Sequence, residues 1–144
     1  MSSYIVDTSV VIQRLIRDTQ TEHARALFSG LVDDDGLIVP EFCLLECTNV
    51  LWKQVRFQGM TSTTADLLIN DLTNLPLTVY SAAEFLRRGL KIGLAHQLAI
   101  YDSVYIALAE SLGYPLITVD EHQSKAALAE GIPLKSLSDF KSLS

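Results

Sequence analysis

Four acidic residues stand beside or inside hydrophobic segments, which is an unusual setting for ionised side chains. Burying an isolated carboxylate is costly, so solvation alone does not explain apolar flanks on all four. Hard divalent cations such as Mg²⁺ prefer oxygen ligands and would neutralise such a group. A metal held by carboxylates beside an open cleft is suited to hydrolysing phosphodiester bonds. The four are Asp7 after a strand-like segment, Glu46 within an apolar helical segment, Asp102 opening another helix, and Asp120 after residues 116–119.

Taken singly, these acids have ordinary explanations. An Asp between a strand and a helix commonly caps the helix or forms a turn. Glu46 is less easily explained, because Asn49 and Lys53 share its helix face while apolar residues occupy most of the rest. Glu is seldom buried without a partner, so this polar stripe predicts the wall of a site. The apolar residues are Leu44, Leu45, Leu51, Trp52 and Val55.

Short polar side chains close to the acids are candidates for holding them in place. Thr8 and Ser9 directly follow Asp7, and a hydroxyl there can cap the next helix or bond the carboxylate. For these two residues capping alone is an equally good interpretation. The predicted supporting residues are Thr8, Ser9, Asn49 and Thr118.

Strand-like segments rich in β-branched residues alternate with helical ones, which predicts a parallel sheet with crossover helices. Ligands of open parallel sheets bind beyond the carboxyl ends of the strands, so Asp7 and Asp120 should emerge at one edge. The predicted strands are 4–6, 37–39, 77–80, 116–119 and, more weakly, 134–137. The predicted helices are 40–57 with Pro40 in its first turn, 61–75, one opening at a Ser81–Glu84 capping box, and 102–112 ending at Gly113.

Composition restricts the class of protein. A chain of 144 residues is about one domain, and 49% hydrophobic content favours a sheet covered on both faces with an apolar interface besides. No apolar run approaches the ~20 residues of a membrane helix, and no basic region leads into a signal-peptide core, which predicts a cytoplasmic protein. The net charge of −6 argues against tight non-specific binding to long duplexes, although two Mg²⁺ would bring it to −6 + 4 = −2.

Two other motifs predict structure rather than chemistry. Cys43 and Cys47 lack a second pair or a nearby His that would complete a zinc site, so we expect small buried thiols. The run 33–36 begins like a calcium loop, but Leu37 supplies no oxygen at the fifth position, which favours a solvated turn.

No catalytic triad competes with the acids. His23, His96 and His122 are scattered, and only His122, two residues after Asp120, is a candidate for the cleft. Basic residues that could influence the choice of a nucleic acid, or simply form solvated helix faces, are Arg14, Arg17, Lys53 and Arg56.

In four segments the sequence resembles the PIN-domain nucleases, particularly the VapC (virulence-associated protein C) toxins of bacterial toxin–antitoxin pairs. The resemblance implies one PIN-like domain over 1–144, an α/β/α sandwich whose mostly parallel sheet has about five strands, and Mg²⁺- or Mn²⁺-dependent cleavage of single-stranded or structured RNA. It also implies homodimers and an antitoxin segment that fills the groove. Asp7, Asp102 and Asp120 would coordinate the metal, with Glu46 bound directly or through water. The four segments are Ile5–Ser9, Glu46 with 49–51, Tyr101–Ala109 and Pro115–Asp120.

Two alternatives remain open. A catalytically silent PIN-like module that binds RNA or protein would suit the negative net charge, although the complete acid set opposes it. A phosphohydrolase with an aspartyl nucleophile commonly has a second Asp two residues after the first, where this chain has Ser9. A phospho-acceptor receiver domain would need a similar acid pair.

Overall fold

A computed structural model describes residues 2–32 and 34–141. Its sheet has four parallel strands in the order β3-β2-β1-β4. Neighbouring strand residues point to opposite faces, and both Ile5 and Val6 of the central β1 are fully buried. Helices therefore cover both faces, which confirms the predicted α/β/α sandwich. The strands are β1 Ser3–Val6, β2 Gly36–Pro40, β3 Leu77–Tyr80 and β4 Leu116–Ile117.

The α-helices of the described residues connect and flank these strands. Helices α3, α4 and α6 occupy the segments that the pattern predicted, with small differences at their ends. Two 3₁₀ turns, Ala83–Phe85 and Leu137–Asp139, complete the elements. The helices are α1 Thr8–Leu15, α2 Thr21–Ser29, α3 Phe42–Phe57, α4 Ser62–Asn74, α5 Leu86–His96, α6 Ile100–Leu112 and α7 Glu121–Ala129.

The predicted fifth strand is wrong in its extent. Only an isolated parallel bridge joins Leu134 to Leu116, because β4 is two residues long and gives a neighbour little backbone to pair with. Pro40 is also misplaced in the prediction, since it ends β2 opposite Tyr80 and α3 begins at Phe42. Proline at the end of a strand forgoes only one backbone donor.

Two helix starts differ from the prediction. The Ser81 hydroxyl accepts a bond from the main-chain N of Ala83 at 3.2 Å, so a 3₁₀ turn precedes α5 instead of a capping box. Helix α6 begins at Ile100, which places Asp102 third in its first turn rather than at its start. A glycine brings α5 and α6 close together, because a Cβ at Gly89 would lie 2.8 Å from Cγ2 of Val104.

The acidic turn before β2 is partly described. Asp33 lies outside the described residues. The Asp35 carboxylate accepts bonds from the main-chain N of Ser2 at 2.6 Å and of Val32 at 3.1 Å, so it serves the local turn. These bonds lower the pKa of Asp35. Both contacts support the solvated turn over a cation site.

In the described part of the chain, no single helix is long and apolar enough to cross a membrane. Ala83–His96 and Ile100–Leu112 reach that length and composition only as a pair, with a bend of 116° between them.

Candidate carboxylate site

Asp7 and Asp120 lie at the same edge of the sheet, because they follow the neighbouring parallel strands β1 and β4. Each also caps the next helix. The Asp7 carboxylate accepts from the main-chain N of Ser9 at 3.1 Å, and Asp120 accepts from that of Gln123 at 2.8 Å. The helix after Asp7 is therefore capped by Asp7 itself, not by the hydroxyls of Thr8 and Ser9.

The Asp7 carboxylate is held from both sides. It is 6% exposed, and burial raises its pKa despite the bonds it accepts. Its Oδ2 accepts from Ser9 N and from the Thr118 hydroxyl at 3.4 Å. Its Oδ1 accepts from the side-chain amide of Gln123 at 3.3 Å. The predicted contact of Thr118 is present, whereas Ser9 contributes its main chain to Asp7 and its hydroxyl to Val119 N.

Glu46 is oriented by two hydroxyls from other elements. Its Oε1 accepts from Thr8 Oγ1 at 2.8 Å and from the Tyr105 phenol at 3.0 Å. The two hydroxyl oxygens lie 2.7 Å apart, so three oxygens share two hydroxyl protons in a closed triangle. Burial raises the pKa of Glu46, and the two hydrogen bonds oppose that rise. Glu46, which was predicted to face inward, is therefore held by hydrogen bonds from Thr8 and Tyr105.

The pKa of Asp102 depends on the charges of the other three acids. Burial, followed in decreasing order by the negative charges of Asp7, Asp120 and Glu46, raises the pKa of Asp102 to about 6. His122 opposes this rise. The four acids therefore face a common region and repel one another. Among the described residues, none of the four is ion-paired with a Lys, Arg or His.

The four acids are not arranged as a preformed metal coordination shell in the described residues. Within residues 2–32 and 34–141, no three His, Cys, Asp or Glu side chains are arranged to hold a metal ion. Like charges held near one another repel, and each raises the pKa of its neighbours.

An open groove of about 740 Å³ runs from Glu46 along α3. Leu45 and Trp52 on this helix are 71% and 55% exposed, so part of the apolar face of α3 is a surface and not core. Lys53 is the cation among the lining residues, and Asn49 lies exposed without a recorded hydrogen bond to an acid in the described chain. The groove is lined by Thr8, Leu45, Glu46, Thr48, Asn49, Val50, Trp52, Lys53 and Tyr101.

The other basic candidates lie elsewhere. Arg17 is 3.8 Å from Glu22 across an exposed pair. The guanidinium groups of Arg14 and Arg56 stand 5.9 Å and 5.6 Å from the ring centroids of Phe28 and Phe57. Lys53 is therefore the candidate best placed to meet a ligand in the groove.

The fold agrees with comparisons to known proteins. Residues 4–128 match the PIN-domain family. This chain belongs to the PIN-domain family.

Individual known proteins are similar to this chain over most of its length. Ribonuclease VapC3 of Pyrobaculum aerophilum is 29% identical over 131 residues, covering 90% of this chain and 94% of the relative. The structure of VapC20 of Mycobacterium tuberculosis, a Sarcin-Ricin loop cleaving toxin, has a TM-score of 0.67 at 16% identity and covers 85% and 94% of the two chains. VapBC-1 of nontypeable Haemophilus influenzae has a TM-score of 0.63 at 16% identity, covering 94% and 98%.

Two side chains of this PIN domain that contact the acids were missed at the sequence level. Neither Tyr105 of α6 nor Gln123 of α7 was among the site residues predicted from the sequence. Both are fully buried, and their polar atoms reach Glu46 and Asp7 respectively. A polar-tipped residue one turn after a candidate acid was the available signal, since Tyr105 and Gln123 each follow an acid by three positions.

Among the described residues of this PIN domain, no cysteine or histidine side chain forms a hydrogen bond with any of the four acids. Cys43 and Cys47 are free and fully buried, as predicted. His23 bonds the Phe140 carbonyl at 2.8 Å, and His96 meets Glu130 at 2.7 Å. His122 opposes the rise in the pKa of Asp102, and its ring bonds the His96 carbonyl at 3.0 Å.

Proposed function

We propose that this PIN domain, a single domain over 1–144, is a metal-dependent endoribonuclease and the toxin of a toxin–antitoxin pair. The observation that carries the proposal is the convergence of four carboxylates that form no ion pair among the described residues: burial and the negative charges of Asp7, Asp120 and Glu46 together raise the pKa of Asp102 to about 6. The similarity to a protein named Ribonuclease VapC3 supports ribonuclease chemistry. A cluster of this kind suits a bound cation, because a cation would remove the repulsion.

The residues fit Mg²⁺ or Mn²⁺ by the chemistry of their donors. Asp7, Asp102 and Asp120 would supply hard oxygen ligands, with Glu46 bound directly or through water. A bound divalent ion lowers the pKa of a water and polarises a phosphate oxygen. We expect the acids to move closer to one another when the cation binds, since no three of the described side chains are already arranged to hold a metal ion.

The chain's own polar groups would keep these acids aimed at the cleft. Thr8 and Tyr105 hold Glu46 by Oε1, and among the described residues its Oε2 has no hydrogen-bond partner. Asp7 is held by both oxygens, since Oδ2 accepts from Ser9 and Thr118 and Oδ1 accepts from Gln123. Such outer contacts fix carboxylate orientation and typically contribute to metal affinity.

The groove suits a flexible nucleic acid better than a long duplex. Trp52 and Tyr101 are 55% and 60% exposed beside Lys53, so bases could stack on the rings while the ammonium meets a phosphate. The net charge of −6 gives little non-specific attraction for duplexes. We therefore propose a single-stranded or looped RNA substrate in the cytoplasm.

The same groove is the proposed docking place of an antitoxin. Exposed Leu45 and Trp52 would receive apolar side chains of a short segment, which would then block the path to Glu46. The likeness to VapBC-1 supports a partner of this kind. A silent interaction module would use the same surface without cleaving RNA.

The direct test is cleavage of a mixed RNA with and without metal. We expect turnover in Mn²⁺ or Mg²⁺, its loss in EDTA, and its return when excess metal is added, because the carboxylates need the cation. Gel analysis of the RNA fragments follows the reaction. Cleavage that survives EDTA would rule out the metal mechanism, and absence of cleavage in every metal would favour the silent module.

We also propose that the chain forms a homodimer or a higher homo-oligomer through α5. Leu86, Leu90 and Leu94 follow one another at four-residue spacing and are 56%, 50% and 70% exposed, forming an apolar stripe. Leu90→Glu should shift the protein to monomer at micromolar concentration in light scattering. Val32→Glu introduces the same charge at another exposed apolar residue, which precedes β2 and lies outside α5, and should leave the mass unchanged. A parent that is monomeric would contradict this proposal.

A further inference from the structure

Gln123 is a buried polar residue at the junction of three acid-bearing segments. It is fully buried in α7, one turn after Asp120. Its side-chain Nε2 donates to Asp7 Oδ1 at 3.3 Å and to the main-chain carbonyl of Asp102 at 3.0 Å. Its main-chain N donates to Asp120 at 2.8 Å. One residue therefore contacts three of the four acids.

The side-chain amide can take only one orientation. Both partners of Nε2 are oxygens that accept hydrogen bonds, so the nitrogen must face them and the carbonyl must face away. In that orientation Gln123 Oε1 is buried and has no hydrogen-bond partner among the described residues. A buried carbonyl without a partner destabilises the folded chain.

Capping of α7 does not require this side chain. The bond to Asp120 comes from the main-chain N, which any residue except proline would supply. An apolar side chain would fill the buried position without leaving an unpaired oxygen. The amide is therefore best explained by its two donated bonds, which tie the Asp7 carboxylate to the backbone of Asp102.

We infer that Gln123 is a positioning residue that sets the separation of Asp7 and Asp102 for a divalent cation. The inference rests on the proposed metal-dependent function. Gln123 offers the cation nothing through Nε2, which is a donor, and its Oε1 is enclosed. Its effect is exerted through Asp7 and Asp102, in the way that outer hydrogen bonds orient metal ligands elsewhere.

The test is Mn²⁺ binding to the protein without RNA, measured by titration calorimetry. Gln123→Met keeps the length of the side chain and removes both donors. We expect it to bind Mn²⁺ about 10–100-fold more weakly than the parent. In cleavage assays the Mn²⁺ concentration for half-maximal rate should rise similarly, while the rate at saturating Mn²⁺ stays close to that of the parent.

Gln13→Met is the matched control. Gln13 is also buried, at 7% exposure, and its amide makes two bonds, to Asp18 at 3.4 Å and from Gln20 N at 3.0 Å. Both bonds lie within the α1–α2 connection, away from the acids. Gln13→Met should cost stability but leave Mn²⁺ affinity unchanged.

The outcomes separate the inference from the function on which it rests. Unchanged Mn²⁺ affinity in Gln123→Met would overturn the positioning role, and so would an equal loss in Gln13→Met, which would indicate general destabilisation. A parent that binds no Mn²⁺ would overturn the proposed metal function and the inference with it. If circular dichroism shows Gln123→Met unfolded, Gln123→Leu replaces it with the same expected loss of affinity.

Discussion

Replacing Asp7 by Asn is expected to reduce metal-dependent RNA cleavage by about 10²–10³-fold or more, the order of loss seen when a charge-stabilising group is removed from an active site. Asp7 is buried and accepts three hydrogen bonds, so the substitution preserves size and removes charge where a cation would bind. Initial rates on a labelled RNA at saturating Mn²⁺ measure the effect.

Asp71→Asn is the matched control for this experiment. Asp71 is an exposed acid of α4, outside the residues that line the groove, and its loss changes the net charge equally. Its activity should equal that of the parent, and a loss in Asp7→Asn beside an active Asp71→Asn prepared in the same way would exclude a contaminating nuclease as the source of cleavage. Full activity in Asp7→Asn would contradict the assignment of Asp7 to the metal site.

Asp102→Asn is expected to abolish cleavage while stabilising the metal-free protein by about 0.5–2 kcal/mol, after allowance for solvent screening of a half-exposed group. The pKa of Asp102 is about 6 in the folded chain and ordinarily 3.8. The charged form is therefore disfavoured by folding, and an uncharged Asn removes the repulsion. Thermal melts in EDTA at neutral pH measure the gain.

The raised pKa of Asp102 also predicts how the stability of the metal-free protein depends on pH. The pKa of Asp102 is higher in the folded chain than in the unfolded chain, so its ionised carboxylate destabilises the folded state. This destabilisation is complete above about pH 6 and is relieved as pH falls towards 3.8. Raised pKa values of Asp7 and Glu46 act in the same direction. The metal-free parent should gain stability over this window, until acids with lowered pKa values such as Glu130 protonate.

Mg²⁺ should reverse the order of the melting temperatures of the parent and Asp102→Asn. Mg²⁺ binds the folded state and should raise the melting temperature of the parent more than that of Asp102→Asn. A mutant that melts lower than the parent in EDTA would identify Asp102 as a structural residue of the first turn of α6. Equal Mg²⁺ shifts in both proteins would remove Asp102 from the metal site.

Much of this architecture follows from local pattern. Apolar β-branched segments predict buried parallel strands, and an acid directly after such a strand must lie at the carboxyl edge of the sheet. That argument placed Asp7 and Asp120 together although 113 positions separate them, since 120 − 7 = 113. Helical spacing placed Glu46, Asn49 and Lys53 along one face, and all three line the groove. Periodicity is a property of neighbouring residues, so sequence alone determines it.

Element ends and the contacts between elements were decided by tertiary structure. Helix α6 begins two residues before Asp102, and the predicted fifth strand reduces to one bridge, because packing and the shortness of β4 override local propensity. The contacts of Gln123 with Asp7 and of Tyr105 with Glu46 span 116 and 59 positions. Each depends on how two whole elements pack, and no local pattern carries that information. The sequence thus determined which acids could meet, and the packing of α6 and α7 against the sheet decided which side chains hold them.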